Sequence, residues 1–100
     1  MAIKKLEHEA LGLVFEICER PTVRQHLEYR SAIAQSVGAD MYVRHWEGVK
    51  RLIVDWQATY LPDYTVNLDE VDSVKGADTI TIACNLVAAY MFSLDDADPN

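Results

Sequence analysis

The run Ile3-Lys4-Lys5-Leu6-Glu7-His8-Glu9-Ala10-Leu11-Gly12-Leu13-Val14-Phe15-Glu16-Ile17-Cys18-Glu19-Arg20 decides what kind of fold this chain adopts. Its apolar residues Ile3, Leu6, Ala10, Leu13, Val14 and Ile17 step by three and four, the spacing of one helical face. On that reading the chain opens with a helix that Pro21 ends, because proline lacks the amide proton and restricts the residue before it. Gly12 weakens such a helix by about 1 kcal/mol relative to alanine. The segment Leu11-Gly12-Leu13-Val14-Phe15 also suits a strand, so helix is the preferred of two readings.

Outward from this run, the helical signals repeat. Thr22 is placed to cap a second helix, with Val23, Leu27, Ile33, Ala34 and Val37 as its apolar stripe and Gly38 as its left-handed end. Asp40 caps a third helix through about Tyr60, with Tyr42, Val43, Trp46, Val49, Ile53, Trp56 and Tyr60 recurring every three or four residues. Glu47 and Arg51 make a favourable i,i+4 pair on its other side. Leu61-Pro62-Asp63-Tyr64 is a stop and turn. Asn67 caps a short helix from Leu68 to Val74, with acids in the first turn where the helix dipole favours them, before Gly76 breaks it. Asp78 caps a last helix, Thr79 to Leu94. The β-branched Thr79, Ile80, Thr81 and Ile82 would suit a strand, but Ala83 to Met91 is alanine-rich and the stretch exceeds usual strand length. The expected fold is therefore all-α: one compact domain over residues 1–94, with four main helices plus one short helix, and a flexible acidic tail over 95–100.

Composition narrows the function classes. One hundred residues with half of them hydrophobic and a quarter charged make one globular domain. The longest uncharged stretch, Thr79 to Leu94, is too short and too polar for a membrane span, which takes about 20 apolar residues. Glutamates stand where an export signal needs an apolar core, so a cytoplasmic location is expected. The net charge of -7 arises entirely after Lys50, where two basic residues meet nine acids. That argues against direct nucleic-acid binding, which takes clustered Lys and Arg. It fits a soluble surface, a docking face for a basic partner, or a mimic of nucleic acid. Cys18 and Cys84 lie in apolar runs and read as reduced core thiols, a single bridge between them being the other arrangement that the count allows.

No pattern points to catalysis. His8, His26 and His45 are scattered without metal-ligand spacing, and Gly12, Gly38, Gly48 and Gly76 form no phosphate loop. Asp69 to Gly76 fails as a calcium loop because Val71 and Val74 stand where oxygen ligands belong. Glu7-His8-Glu9 reads as a solvated face. No enzyme, cofactor or metal is expected. The stripe Tyr42, Trp46, Trp56 and Tyr60 has two readings. One is core. The other is an anchor for a protein partner, in which Arg44, Trp46, Arg51, Trp56 and Tyr60 form the partner-binding set, and in which this helix mediates homo-oligomerisation.

From Asp40 to Leu94 the chain resembles the tail assembly chaperones of long-tailed bacteriophages. The residues that carry this are Arg44-His45-Trp46-Glu47-Gly48-Val49, the Leu61-Pro62-Asp63 stop, the asparagine-led Asn67-Leu68-Asp69-Glu70, and the small and apolar Ile82 to Leu94. The resemblance implies a helical, non-enzymatic protein of the host cytoplasm that coats the tape measure protein and recruits tail tube subunits around it. It carries over no catalytic residue and no specific binding motif. The alternative from a different class is an acidic inhibitor that occupies the basic nucleic-acid-binding site of a host protein.

Overall fold

Leu13, Phe15 and Ile17 are each almost fully enclosed, with Val14 and Glu16 between them less so. That alternation is a strand's, and it corrects the expectation of an opening helix. The computed structural model describes residues 2–38 and 41–97, and of 95–97 the backbone alone. In it the first stretch is a hairpin: β1 (Ile3–His8) and β2 (Leu13–Cys18), joined by a 3-10 turn over Glu9–Leu11. They pair antiparallel from Ile3 opposite Cys18 to His8 opposite Leu13. Gly12 closes the turn at φ 59 and its amide donates to Glu9 O at 2.9 Å. A Cβ there would overlap the Thr59 side chain, so both the backbone angle and the space require glycine. The helical stripe would have buried Leu13, Val14 and Ile17 and left Phe15 off its face. Burying a phenylalanine is worth roughly 1.5–3 kcal/mol, and the strand does so.

The remaining elements are α1 (Val23–Ala34), α2 (Met41–Lys50), β3 (Ile53–Gln57) and α3 (Val74–Ala97). β3 adds antiparallel to the free side of β2, giving a sheet of order β1-β2-β3. Phe15 faces Trp56, and a register shift at Glu16/Ile17 brings Ile53 opposite Ile17 on the same face. The helix expected from Asp40 to Tyr60 therefore stops at Lys50. An isolated two-stranded hairpin is marginal in water, and Ile53 and Trp56 reach the core equally well from a strand that completes the sheet. The expected cap Asp40 lies outside the described residues.

Thr22 caps α1 as expected. Its hydroxyl accepts from the Gln25 amide at 3.2 Å, while the Gln25 side chain accepts from the Thr22 amide at 2.8 Å, a full capping box. α1 ends at Ala34, and Gly38 is left-handed four residues further on. The short helix expected from Leu68 is a single 3-10 turn, Leu68–Glu70, whose Asn67 cap accepts from the Asp69 amide. Gly76 does not break the next element. Ser73 starts α3 by accepting from the Gly76 amide at 2.9 Å, so Asp78 lies inside the helix and not at its cap. Thr79 and Thr81 turn their hydroxyls back onto the carbonyls of Lys75 and Ala77, which satisfies them within a helix. α3 runs to Ala97, and residues 98–100 of the expected tail lie outside the described residues.

The architecture is thus a three-stranded antiparallel sheet with helices on one face, and the all-α expectation, including the helical fold that the chaperone resemblance implies, is overturned. Leu13, Phe15 and Ile17 from the sheet meet Tyr29 of α1, Trp46 and Val49 of α2, and Ile80, Ala83, Cys84, Val87 and Met91 of α3 in one core. Between Val74 and Leu94, α3 is long and apolar enough to cross a membrane by length and composition; here its Thr79, Ala83, Cys84 and Val87 ridge is fully buried. The opposite face of the sheet carries exposed Lys5, Glu7, Asp55 and Gln57.

Candidate functional site

α1 and α2 pack closely because α2 carries glycine at the contact. A Cβ on Gly48 would lie 2.8 Å from Ala32 Cβ and 3.4 Å from the Tyr29 ring. One turn earlier, His45 Nε2 and the Tyr29 hydroxyl are hydrogen-bonded at 2.8 Å inside the protein. Burial lowers the His45 pKa and raises that of Tyr29, so the pair is held uncharged. This lock ties α1 to α2.

On the solvent side of the lock, the helices diverge around an open groove of about 370 Å³. Ala32 and Gly48 form its floor, and Leu27, Ser31 and Gln35 line one wall against Arg44, Glu47 and Arg51 on the other. Leu27 is 59% exposed. Val23 lies one turn before it and Val43 one turn before Glu47, and both are exposed, so apolar surface continues along each rim. Arg51 Nη1 lies 3.1 Å from Glu28 Oε2, and Arg24 Nε lies 3.4 Å from Glu28 Oε1. Glu47 pairs with Lys50 at 3.0 Å and not with Arg51 as its spacing suggested. Exposed pairs of this kind contribute little stability; here they orient Arg51. Arg44 makes no ion pair among the described residues. The groove thus offers a planar guanidinium fork suited to bidentate carboxylate binding, hydroxyl and amide groups, and an apolar rim.

A second, smaller cavity of about 180 Å³ lies between α1 and the C-terminal half of α3, lined by His26, Tyr29, Arg30, Ile33, Met91 and Phe92. It is mostly apolar. Cys18 and Cys84 are both thiols, with no disulfide between them. Burial pushes the Cys84 pKa up to about 12, which keeps it protonated and unreactive. Among the described residues no three His, Cys, Asp or Glu side chains are grouped to hold a metal ion.

Of the five residues expected at a partner site, the structure brings Arg44 and Arg51 together at the groove and Trp46 and Trp56 together in the core. Trp46 is fully enclosed. Trp56 lies on the inner face of the sheet, its ring 5.2 Å from Phe15, 5.4 Å from Trp46 and 6.0 Å from Tyr64, and its Nε1 donates to Leu61 O at 2.7 Å. Tyr60 sits in the connection after β3, with the Lys75 ammonium 4.9 Å above its ring. Leu27, Ser31 and Gln35 are not among those five: in sequence Leu27 belongs to the apolar stripe of its helix, and Ser31 and Gln35 carry no local signal of a groove. In comparisons with known proteins, no family model matches the chain, and no curated protein or solved structure matches it.

Proposed function

We propose that this chain is a non-enzymatic protein-binding domain of the tail assembly chaperone type, which holds an amphipathic segment of the tape measure protein in the α1–α2 groove and helps recruit tail tube subunits. The observation that carries the reading is the groove itself, in which Arg44 and Arg51 stand across from the exposed Leu27, with exposed Val23 and Val43 one helical turn outside its lining. A helix laid into such a groove buries its apolar stripe on the rims and sets a flanking carboxylate against Arg44. Of the residues that carry the chaperone resemblance, Arg44, Glu47 and Gly48 line the groove.

Binding of synthetic tape measure segments, followed by fluorescence anisotropy, tests this. Arg44→Glu and Leu27→Asp should each weaken binding about tenfold or more, because they place like charge or an unpaired carboxylate in the contact. Both sites are exposed, so the circular dichroism spectrum should not change. Binding that is unaffected by both substitutions would refute the groove as the site.

A further inference from the structure

β1 is an edge strand, and one hydrogen bond reveals which of its backbone groups face outward. The Glu19 amide donates to Ala2 O at 3.1 Å, in line with the register that sets Ile3 opposite Cys18. Along an antiparallel ladder, residues that exchange both backbone bonds with the neighbour alternate with residues that turn both groups away. Lys4, Leu6 and His8 therefore bond to β2, while Ile3, Lys5 and Glu7 direct their N–H and C=O groups out of the free edge. The Cys18 amide donates away from β1, to Leu52 O before β3, which keeps the same alternation on β2. Such an edge is a template for a further strand.

We propose that the β1 edge pairs antiparallel with the β1 edge of a second copy of this chain, with the two Leu6 residues facing each other across a two-fold axis. The order of charges selects both the occupant and the register. With Leu6 opposite Leu6, each Lys5 stands directly across from Glu7 of the second copy, and these two pairs exchange the outward backbone hydrogen bonds. A slip of one residue puts outward groups opposite inward ones and turns every side chain to the wrong face. The next registers in phase set Lys5 against Lys5 or Glu7 against Glu7. Opposite charges directly across a ladder stabilise it and like charges destabilise it, so only one register is favoured. Lys5 already stands across from Glu16 of β2, so in the dimer each lysine lies between two carboxylates on the exposed face. The result is a continuous six-stranded sheet whose helices all lie on one side. This contact is separate from the α1–α2 groove and does not depend on what the groove binds.

Sedimentation equilibrium and light scattering over a range of concentrations test the dimer, with circular dichroism as the check on folding. Lys5→Glu and Glu7→Lys each set like charges opposite twice, and each should weaken association about tenfold or more. An equimolar mixture of the two variants should associate as the parent does, since every introduced charge then meets its opposite. Glu7→Pro removes an outward N–H together with the Glu7 carboxylate, takes no hydrogen bond from the β1–β2 ladder, and should abolish the dimer. A parent that stays monomeric at its solubility limit overturns the proposal. So do dimers that ignore both charge reversals, or a mixture of the two folded variants that does not recover.

Discussion

Replacing Gly48 by alanine tests how closely the two groove helices approach. The added methyl would stand 2.8 Å from Ala32 Cβ, a rigid neighbour that no rotamer change moves aside, and 3.4 Å from the Tyr29 ring. Methyl carbons attract best at about 3.5–4.0 Å, so α1 and α2 must part by roughly 1 Å. Overpacking of this kind costs about 1–3 kcal/mol. Against it, alanine is about 1 kcal/mol better than glycine inside a helix. The expected net effect of Gly48→Ala is a loss of up to about 2 kcal/mol, each kcal/mol lowering Tm by roughly 4–8 °C in a chain of this length. A double-mutant cycle with Ala32→Gly, measured by urea unfolding, separates the two contributions. Once Ala32 is shortened, Gly48→Ala should stabilise by nearly the full propensity gain, with a coupling of about 1–3 kcal/mol between the sites. If Gly48→Ala stabilises the parent as much as it stabilises the Ala32→Gly variant, the helices are not in contact there and the groove floor is misplaced.

Two further outcomes follow from the core. Trp46→Ala should cost about 3–5 kcal/mol, because an enclosed indole leaves a large cavity; urea unfolding checks it, and a variant as stable as the parent would return Trp46 to the surface. His45 is buried neutral with its pKa below 6.5, so the unfolded chain takes up the proton first as the pH falls. The stability that His45 contributes is therefore present above about pH 6.5 and lost progressively toward the lowered native value. Thermal melts of the parent and of His45→Gln should converge as the pH is lowered from about 7 to 5; a constant gap between the two curves would refute the linkage.

The parts of this fold that sequence reasoning recovers are those whose physics is local. The Thr22 cap and the Asn67 cap each depend on groups within three residues of one another, so no distant partner is needed to read them. Gly38 likewise has the positive φ expected of it, although α1 stops short of it. The strands are a different matter. Leu13, Val14 and Ile17 satisfy a helical period, and Leu13, Phe15 and Ile17 satisfy a period of two, within the same six residues. In the same way Ile53 and Trp56 continue the stripe of α2 and also fit a strand. Nothing local separates the readings, because a strand is stabilised by a neighbour that may be close in the chain, as β1 is to β2, or far from it, as β3 is.

The candidate site divides along the same line. Arg44 and Arg51 are legible as cations beside an apolar stripe, and that much follows from residue type and spacing alone. Whether the stripe's tryptophans face a partner or the core was open until the sheet was in place to cover Trp46 and Trp56. The groove needs α1 laid against Gly48, a contact between residues sixteen positions apart (Ala32 and Gly48), so Leu27, Ser31 and Gln35 acquire their place only with the tertiary fold. By itself the sequence determined the caps at Thr22 and Asn67, the acidic second half and the cations Arg44 and Arg51, since these are properties of single residues and near neighbours. Only the tertiary structure decided strand against helix and wall against core, because both depend on which surfaces are left for the chain to cover once its other elements have packed.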